Sequence, residues 1–283
     1  MADVQELQRI ASQVRRDIIR QVARAQSGHP GGSLGCTDLF VALYFSVMKH
    51  DPSFNMQGQG EDMFFLSNGH ISPVWYSVLA HSGYFPVAEL ATFRMLNSRL
   101  QGHPATHEGL PGIRFASGSL GQGLSVSIGA ALTKRLNKDD RTVFVLMGDG
   151  EQEEGQVWEA VMFAGHNKVD NLIAICDRNN QQIDGSLTEV LDLGDLGRKY
   201  AEFGWEVLHM DGNDMQDVLD TLAKAKSLTG QGKPIFIDMK TEMGKGVDFM
   251  EGTHAWHGKA PSEEQTERAL AQLEETLGDY PVA

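Results

Sequence analysis

Val143-Phe144-Val145-Leu146-Met147-Gly148-Asp149-Gly150 and, further on, Leu172-Ile173-Ala174-Ile175-Cys176-Asp177-Arg178-Asn179-Asn180 decide the fold. Each is a short unbroken apolar run that stops at glycine or a polar residue, the pattern of a strand buried on both faces. A helix is expected between them, around Trp158 to Ala164. Downstream the alternation continues with a helix around Leu196 to Phe203, a strand Val207 to Met210, a helix Val218 to Ala225 and a strand Ile235 to Ile237. Strand and helix in turn predict an α/β fold, a parallel sheet with helices on both faces.

Upstream, Leu7, Ile10, Ala11, Val14, Ile18 and Val22 recur at helical spacing and predict an amphipathic first helix. An apolar helical run follows from Asp38 to Met48, then a loop with Gly58 and Gly60, then a short strand, Met63 to Leu66. Ser262 and Gln265 have capping-box spacing directly after Pro261 and open a last helix. No period repeats and no low-complexity linker intervenes, so residues 1–283 read as one domain. It comprises an αβ core to about residue 240, a functional loop over 241–261 and a C-terminal helix. The tail beyond Gly278 is expected to fray.

Composition narrows the function. Lys plus Arg is 24 against 38 Asp plus Glu, a formal charge of −14, which speaks against nucleic acid and anionic membrane as partners. The only cysteines, Cys36 and Cys176, have no metal-like spacing, so neither a disulfide framework nor a thiolate zinc site is expected and the compartment reads as reducing. The longest apolar stretch, Leu39 to Phe45 with Val47 and Met48 beyond it, falls well short of the ~20 residues a bilayer span needs. Arginines interleaved with Asp3, Glu6 and Asp17 do not make a signal peptide, and a cytoplasmic location is expected.

In an open parallel sheet, ligands bind outside the carboxyl ends of the strands. One such end delivers Asp149 between two glycines, and another delivers Asn179. A carboxylate and an amide oxygen suit a hard divalent cation such as Mg²⁺, which takes few protein ligands and completes its shell with phosphate oxygens and water. The glycines allow close approach to a phosphate. His29, His70, His103 and His257 each abut a glycine, where the chain can come near a ligand. His50, His81, His166 and His209 read as structural or solvated, as do His107 and Glu108 in their loop. His254 and His257 lie three apart but lack a third ligand cluster, so zinc is not expected.

Gly-Asp-Gly followed by Asn-Asn is the thiamin diphosphate signature, and more of the chain resembles the same family. Ser27-Gly-His-Pro-Gly31, Leu66-Ser-Asn-Gly-His70, Gly102-His-Pro104, Gly118-Ser-Leu-Gly-Gln-Gly123, Ile183-Asp-Gly185 and Trp256-His-Gly258 stand in the order found in the N-terminal, diphosphate-binding half of transketolase. The chain is most similar to the subunit that some organisms encode separately. Full-length transketolases often have proline where this chain has Ser119.

The resemblance implies that Asp149 and Asn179 bind Mg²⁺, or Ca²⁺ in its place, through side chains and Gln181 through its carbonyl. It places Gly150, His70 and His257 at the diphosphate, Gly118 and Leu120 at the aminopyrimidine and Ile183 at the thiazolium. Glu154 resembles a buried glutamate that links neighbouring cofactor sites. His29, His103 and His257 would be catalytic, facing the thiazolium and the sugar. The implied reaction moves a two-carbon ketol unit from a ketose or ketose phosphate to an aldose, with the cofactor as carbanion sink. Histidine suits the proton transfers this needs near neutral pH. The implied partner is a C-terminal transketolase subunit with the pyrimidine and C-terminal domains and the activating glutamate, two copies of each chain together. Alternatives are a deoxyxylulose-phosphate synthase-like or 2-oxoacid dehydrogenase alpha-type chain, or a cofactor-binding scaffold without turnover.

Overall fold

The computed structural model describes residues 3–281. The chain opens with helix α1 (Val4–Ala25), capped by Asp3, whose carboxylate accepts from Gln5 N at 3.0 Å. Two short helices follow, α2 (Pro30–Gly35) and α3 (Thr37–Ala42). The apolar run expected as one helix changes pitch at Leu43, where a π-helical turn over Leu43–Val47 ends with Met48 N donating to Leu43 O at 2.8 Å. Then come β1 (Met63–Leu66), α4 (Ser72–His81), α5 (Gly123–Leu136), β2 (Val143–Gly148), α6 (Gly155–His166) and β3 (Leu172–Arg178). A small antiparallel hairpin, β4 (Gln181–Gln182) and β5 (Gly185–Ser186), leads to α7 (Leu187–Val190) and α8 (Leu196–Glu202). The rest is β6 (Glu206–Asp211), α9 (Met215–Leu228), β7 (Ile235–Lys240) and α10 (Glu263–Gln272).

Five strands form one all-parallel sheet in the order β1-β2-β3-β7-β6. Period-two alternation sorts its side chains to two cores. Phe64, Leu66, Phe144, Leu146, Ile173 and Ile175 meet α1, α3, α4 and α9 on one face. Phe65, Val143, Val145, Met147, Leu172 and Ala174 meet α5, α6 and α8 on the other. The parallel sheet covered on both faces is therefore as expected. Its register sets Gly148 beside Asp177, so the polar ends of β2 and β3 emerge side by side.

Of two further expectations, the first holds and the second does not. The capping box forms, with Gln265 N donating to Ser262 Oγ and Ser262 N to Gln265 Oε1. The segment after Gly278 does not fray as far as it is described: Asp279 pairs with Arg16 at 2.7 Å, and Tyr280 is buried under the Arg20 guanidinium, 4.1 Å from its ring centre. Two charges and an aromatic ring outweigh the entropy of a short tail. Residues 282–283 lie outside the described part. Both cysteines are free and buried. No described helix is long and apolar enough to cross a membrane.

Candidate active site

At the carboxyl edge of the sheet lies a cavity of about 570 Å³. His29, His70, Gly118, Leu120, Asp149, Gly150, Glu154, Asn179, Gln181, Ile183 and His257 all line it. Residues spread over most of the chain thus meet in one place. His103 stands just behind the wall, so close to Gly118 that a Cβ there would lie 2.9 Å from its ring. Gly118 is also left-handed, at φ 129°, which favours glycine there.

Asp149 leaves the end of β2 with both carboxylate oxygens engaged. Gly150 N donates to Oδ1 at 2.8 Å and Asn180 N to Oδ2 at 2.6 Å. Asn180 is left-handed, at φ 58°, a conformation asparagine tolerates, and this turn aims its N–H back at Asp149. Asn179 is oriented from both ends of its amide: its Nδ2 donates to Asp177 at 2.9 Å, and its Oδ1 accepts from Gln181 N at 2.9 Å. Asp177 is itself fixed by the Thr241 hydroxyl and the Cys36 thiol. Burial, and then the neighbouring Asp177, push the Asp149 pKa up to about 8.

The donor set fits a hard cation. Asp149 forms no ion pair with a basic side chain among the described residues, so a buried carboxylate beside a second carboxylate is left for a cation to neutralise. The available donors are oxygens, and among the described residues no three His, Cys, Asp or Glu side chains converge as a metal-binding group. A soft-metal cage is thus not built here. One carboxylate, one amide and one carbonyl leave the remaining positions to phosphate and water, as Mg²⁺ prefers.

Glu151 has a part that sequence spacing did not reveal. Its buried carboxylate accepts from the Ser67 hydroxyl, from Gly121 N at 2.7 Å and from Gly148 N at 3.0 Å. It thereby ties the end of β1, the Gly118–Gly123 loop and the end of β2 together. Gly123 packs so tightly against Ser67 that a Cβ would collide with its hydroxyl. Asp177 was likewise invisible as a positioning group, because its partners come from distant segments. Gln182, which also lines the cavity, donates to Glu153 at 2.8 Å.

The four glycine-flanked histidines cluster together, His29, His70 and His257 on the cavity lining and His103 behind it. Ring centres lie 5.0 Å apart for His29 and His70, 5.6 Å for His29 and His257, 5.1 Å for His70 and His257, and 6.3 Å for His29 and His103. Burial lowers the pKa of each, helped at His29 and His70 by the neighbouring rings and at His29 and His103 by Arg94; His29 falls to about 4. Nδ1 of His29 and of His257 is buried without a hydrogen-bond partner. Burial therefore favours the neutral imidazole at each of these positions. Outside the cluster, His81 lies 2.7 Å from Asp17, and His50 is held by Tyr84 OH and Tyr44 O.

Glu154 differs from the expectation of a buried glutamate. It sits exposed at the cavity rim, in the N-cap position of α6, because no described residue of this chain covers it. Ile183 is also 64% exposed at the mouth.

Comparison with known proteins gives the lineage. The family described as transketolase, thiamine diphosphate binding domain, matches residues 6–280. The 6-deoxy-6-sulfo-D-fructose transketolase subunit of Clostridium sp. (strain MSTE9) is 39% identical over 269 residues, 95% of this chain and 96% of that one. An apulose-4-phosphate transketolase subunit of Phocaeicola vulgatus is 37% identical over 274 residues, 97% and 96% of the two chains. The crystal structure of transketolase from Campylobacter jejuni superposes with a TM-score of 0.89 at 34% identity, over 96% of this chain but 43% of that one. The chain spans less than half of that solved enzyme while matching the two subunits nearly end to end. It belongs to the transketolase family, as a thiamine diphosphate binding domain.

Proposed function

We propose that this chain, as one domain, is the diphosphate-binding subunit of a two-chain transketolase that transfers a ketol unit from a ketose or ketose phosphate to an aldose. The observation that carries the reading is the convergence, in one cavity, of an oxygen-donor cation site with a wall of neutral histidines. Asp149, Asn179 and the Gln181 carbonyl would hold Mg²⁺, with Ca²⁺ as a substitute, and Gly150, His70 and His257 would meet the diphosphate. Gly118, Leu120 and Ile183 would flank the organic rings. Thiamin diphosphate, when bound, supplies the electron sink for breaking a bond next to a carbonyl.

The chain's own residues then have definite tasks. Asp177 and Glu151 hold the cation ligands and the glycine loop in place. His29, His103 and His257, neutral at physiological pH, take protons from sugar hydroxyls and return them. Glu154 at the rim is placed to meet a neighbouring chain, and a partner with the pyrimidine and C-terminal domains would supply the activating glutamate. Calorimetric titration of the assembled protein with thiamin diphosphate and Mg²⁺, followed by an assay of ketose cleavage with an aldose acceptor, tests the reading. Absence of cofactor binding in the presence of Mg²⁺ would refute it.

A further inference from the structure

Helix α2, which follows His29 directly, carries Gly31 and Gly35 four residues apart, hence on one bare face. The start of the loop over 241–261, which also carries Trp256 and His257, runs along that face. A Cβ at Gly31 would lie 2.6 Å from Met243 Cγ and 2.9 Å from Trp256 O, and one at Gly35 would lie 2.9 Å from Glu242 O. With so little side chain between helix and loop, hydrogen bonds have to fix how the two sit against each other.

At the Gly31 end the bond is direct, from Gly244 N to Gly31 O at 2.9 Å. At the Gly35 end it passes through a third segment. Asn213, in the turn between β6 and α9, donates from Nδ2 to Gly35 O at 2.9 Å and accepts at Oδ1 from Glu242 N at 2.8 Å. Its Nδ2 also reaches Gly212 O at 3.2 Å, and its backbone N–H goes to Asp211 at 3.0 Å, so the amide is held from behind. The bridge needs a donor and an acceptor on one short side chain, which asparagine supplies. Asn213 lines two cavities of about 430 and 370 Å³ that are separate from the histidine cavity. Open space beside the amide leaves the bridge to its hydrogen bonds rather than to packing.

The bridged segment reaches both halves of the site. Thr241, one residue before Glu242, donates its hydroxyl to Asp177, which orients Asn179. Met243 lines the site cavity, and Gly252 N donates to Met243 O at 2.9 Å, tying the start of the loop to the part that leads to Trp256 and His257. Gly258 in turn stands so near His29 that a Cβ there would lie 3.3 Å from its Nε2.

We propose that Asn213 is a positioning residue for the histidine cluster: by bridging α2 to the 241–261 loop it sets how His29 and His257 face each other, without lining the site cavity itself. Its consequence for turnover rests on the ketol-transfer reading; the positioning itself does not. Burial, and then His257, Arg94 and His103, hold His29 down at about 4. A loosened bridge admits water to the rings and moves His29 back towards its ordinary value.

Asn213→Asp keeps the shape and the acceptor but loses the donor and turns a carboxylate oxygen towards Gly35 O. Asp3→Ala, which removes the cap at the far end of α1, is the control for a plain loss of stability. The His29 Cε1–H signal, assigned by its loss in His29→Phe, is titrated by NMR in the chain itself, and kcat and KM are measured with the partner chain on a ketose donor and an aldose acceptor. In Asn213→Asp, His29 should titrate about one pH unit or more above the wild type, and kcat should fall about 10- to 100-fold with KM changing less than about 3-fold. Asp3→Ala should move neither. An unchanged His29 titration, an unchanged kcat, a loss confined to KM, or effects that Asp3→Ala reproduces would each overturn the proposal. If the wild type turns over no ketose, the ketol-transfer reading fails, and the His29 titration alone decides whether Asn213 positions the cluster.

Discussion

Asp149 and the histidines face each other with opposite electrostatic problems. Asp149 is a buried carboxylate short of positive charge, its pKa raised to about 8 by burial and by Asp177. Asp149→Ala removes the anionic ligand, so affinity for thiamin diphosphate with Mg²⁺ should fall by about 3–5 kcal/mol, read by calorimetry on the assembled protein. Wild-type affinity in that variant would displace Asp149 from the cation site. The histidines are buried bases that resist a proton. Above the ordinary histidine pKa of about 6.5, His29 is neutral in both folded and unfolded chains and adds no pH dependence. As pH falls from there towards about 4, the unfolded chain binds a proton that folded His29 refuses, so stability declines. His29 alone accounts for up to about 3 kcal/mol before discounting for solvent access, with His70, His103 and His257 adding in the same direction. The raised carboxylates Asp149, Asp177 and Glu151 act in the opposite sense over the same window, so the readout is the difference: from pH 7 to pH 5 the denaturant midpoint should shift more towards destabilisation in the wild type than in His29→Phe, and equal slopes would contradict the assignment.

Elements carry these residues, and the joints between elements are where the site can be loosened without touching a ligand. Glu151 is such a joint, since one carboxylate accepts from β1, from the loop before α5 and from the end of β2. Glu151→Gln places an amide N–H₂ where only acceptors are wanted, leaving a buried donor unpaired. The expected cost is about 1–3 kcal/mol in thermal or urea unfolding, with a looser Gly118–Gly123 loop in hydrogen exchange. An unchanged midpoint would mean that water replaces the clamp. Strands β2, β3 and β7 were legible in the sequence because central parallel strands are continuous apolar runs. Helix α4 was not: Ser72 to Ala80 is buried all round, which erases the amphipathic period that marks a surface helix such as α1. The cavity residues Asp149 and the four clustered histidines were readable because glycine flanks them, and Asn179 because it ends an apolar strand run. Glu151 and Asp177 were not, since the groups that fix them, Ser67 and Gly121 for the one and Cys36 and Thr241 for the other, lie in segments to which no local spacing points.

The whole molecule presents its cavity open on one side. Ile183, Val190 and Leu191 are 64%, 44% and 53% exposed around the mouth, and Glu154 stands uncovered beside them. On helices α5 and α6, Phe163, 47% exposed, lines a groove with Ser125, Gly129 and Leu132, and Met162 and Val126 on the same helices are 55% and 38% exposed. Apolar side chains exposed at a site mouth and along a helix-lined groove are what a protein–protein surface looks like before it is covered. Of the carboxylates that line the cavity, Glu154 is the exposed one; Asp149, Glu151 and Asp177 are buried. The chain by itself, given thiamin diphosphate and Mg²⁺, should therefore turn over no ketose, and it should self-associate or bind cofactor weakly. Mixed with a chain bearing the pyrimidine and C-terminal domains, it should gain activity and form a particle whose mass by light scattering equals two copies of each, closed by two-fold symmetry. Replacing Phe163 or Ile183 with Asp should weaken that assembly while leaving the fold of the isolated chain intact by circular dichroism, because both side chains are already in solvent there. Robust ketol transfer by the purified chain alone would show that its cavity is complete without a second polypeptide.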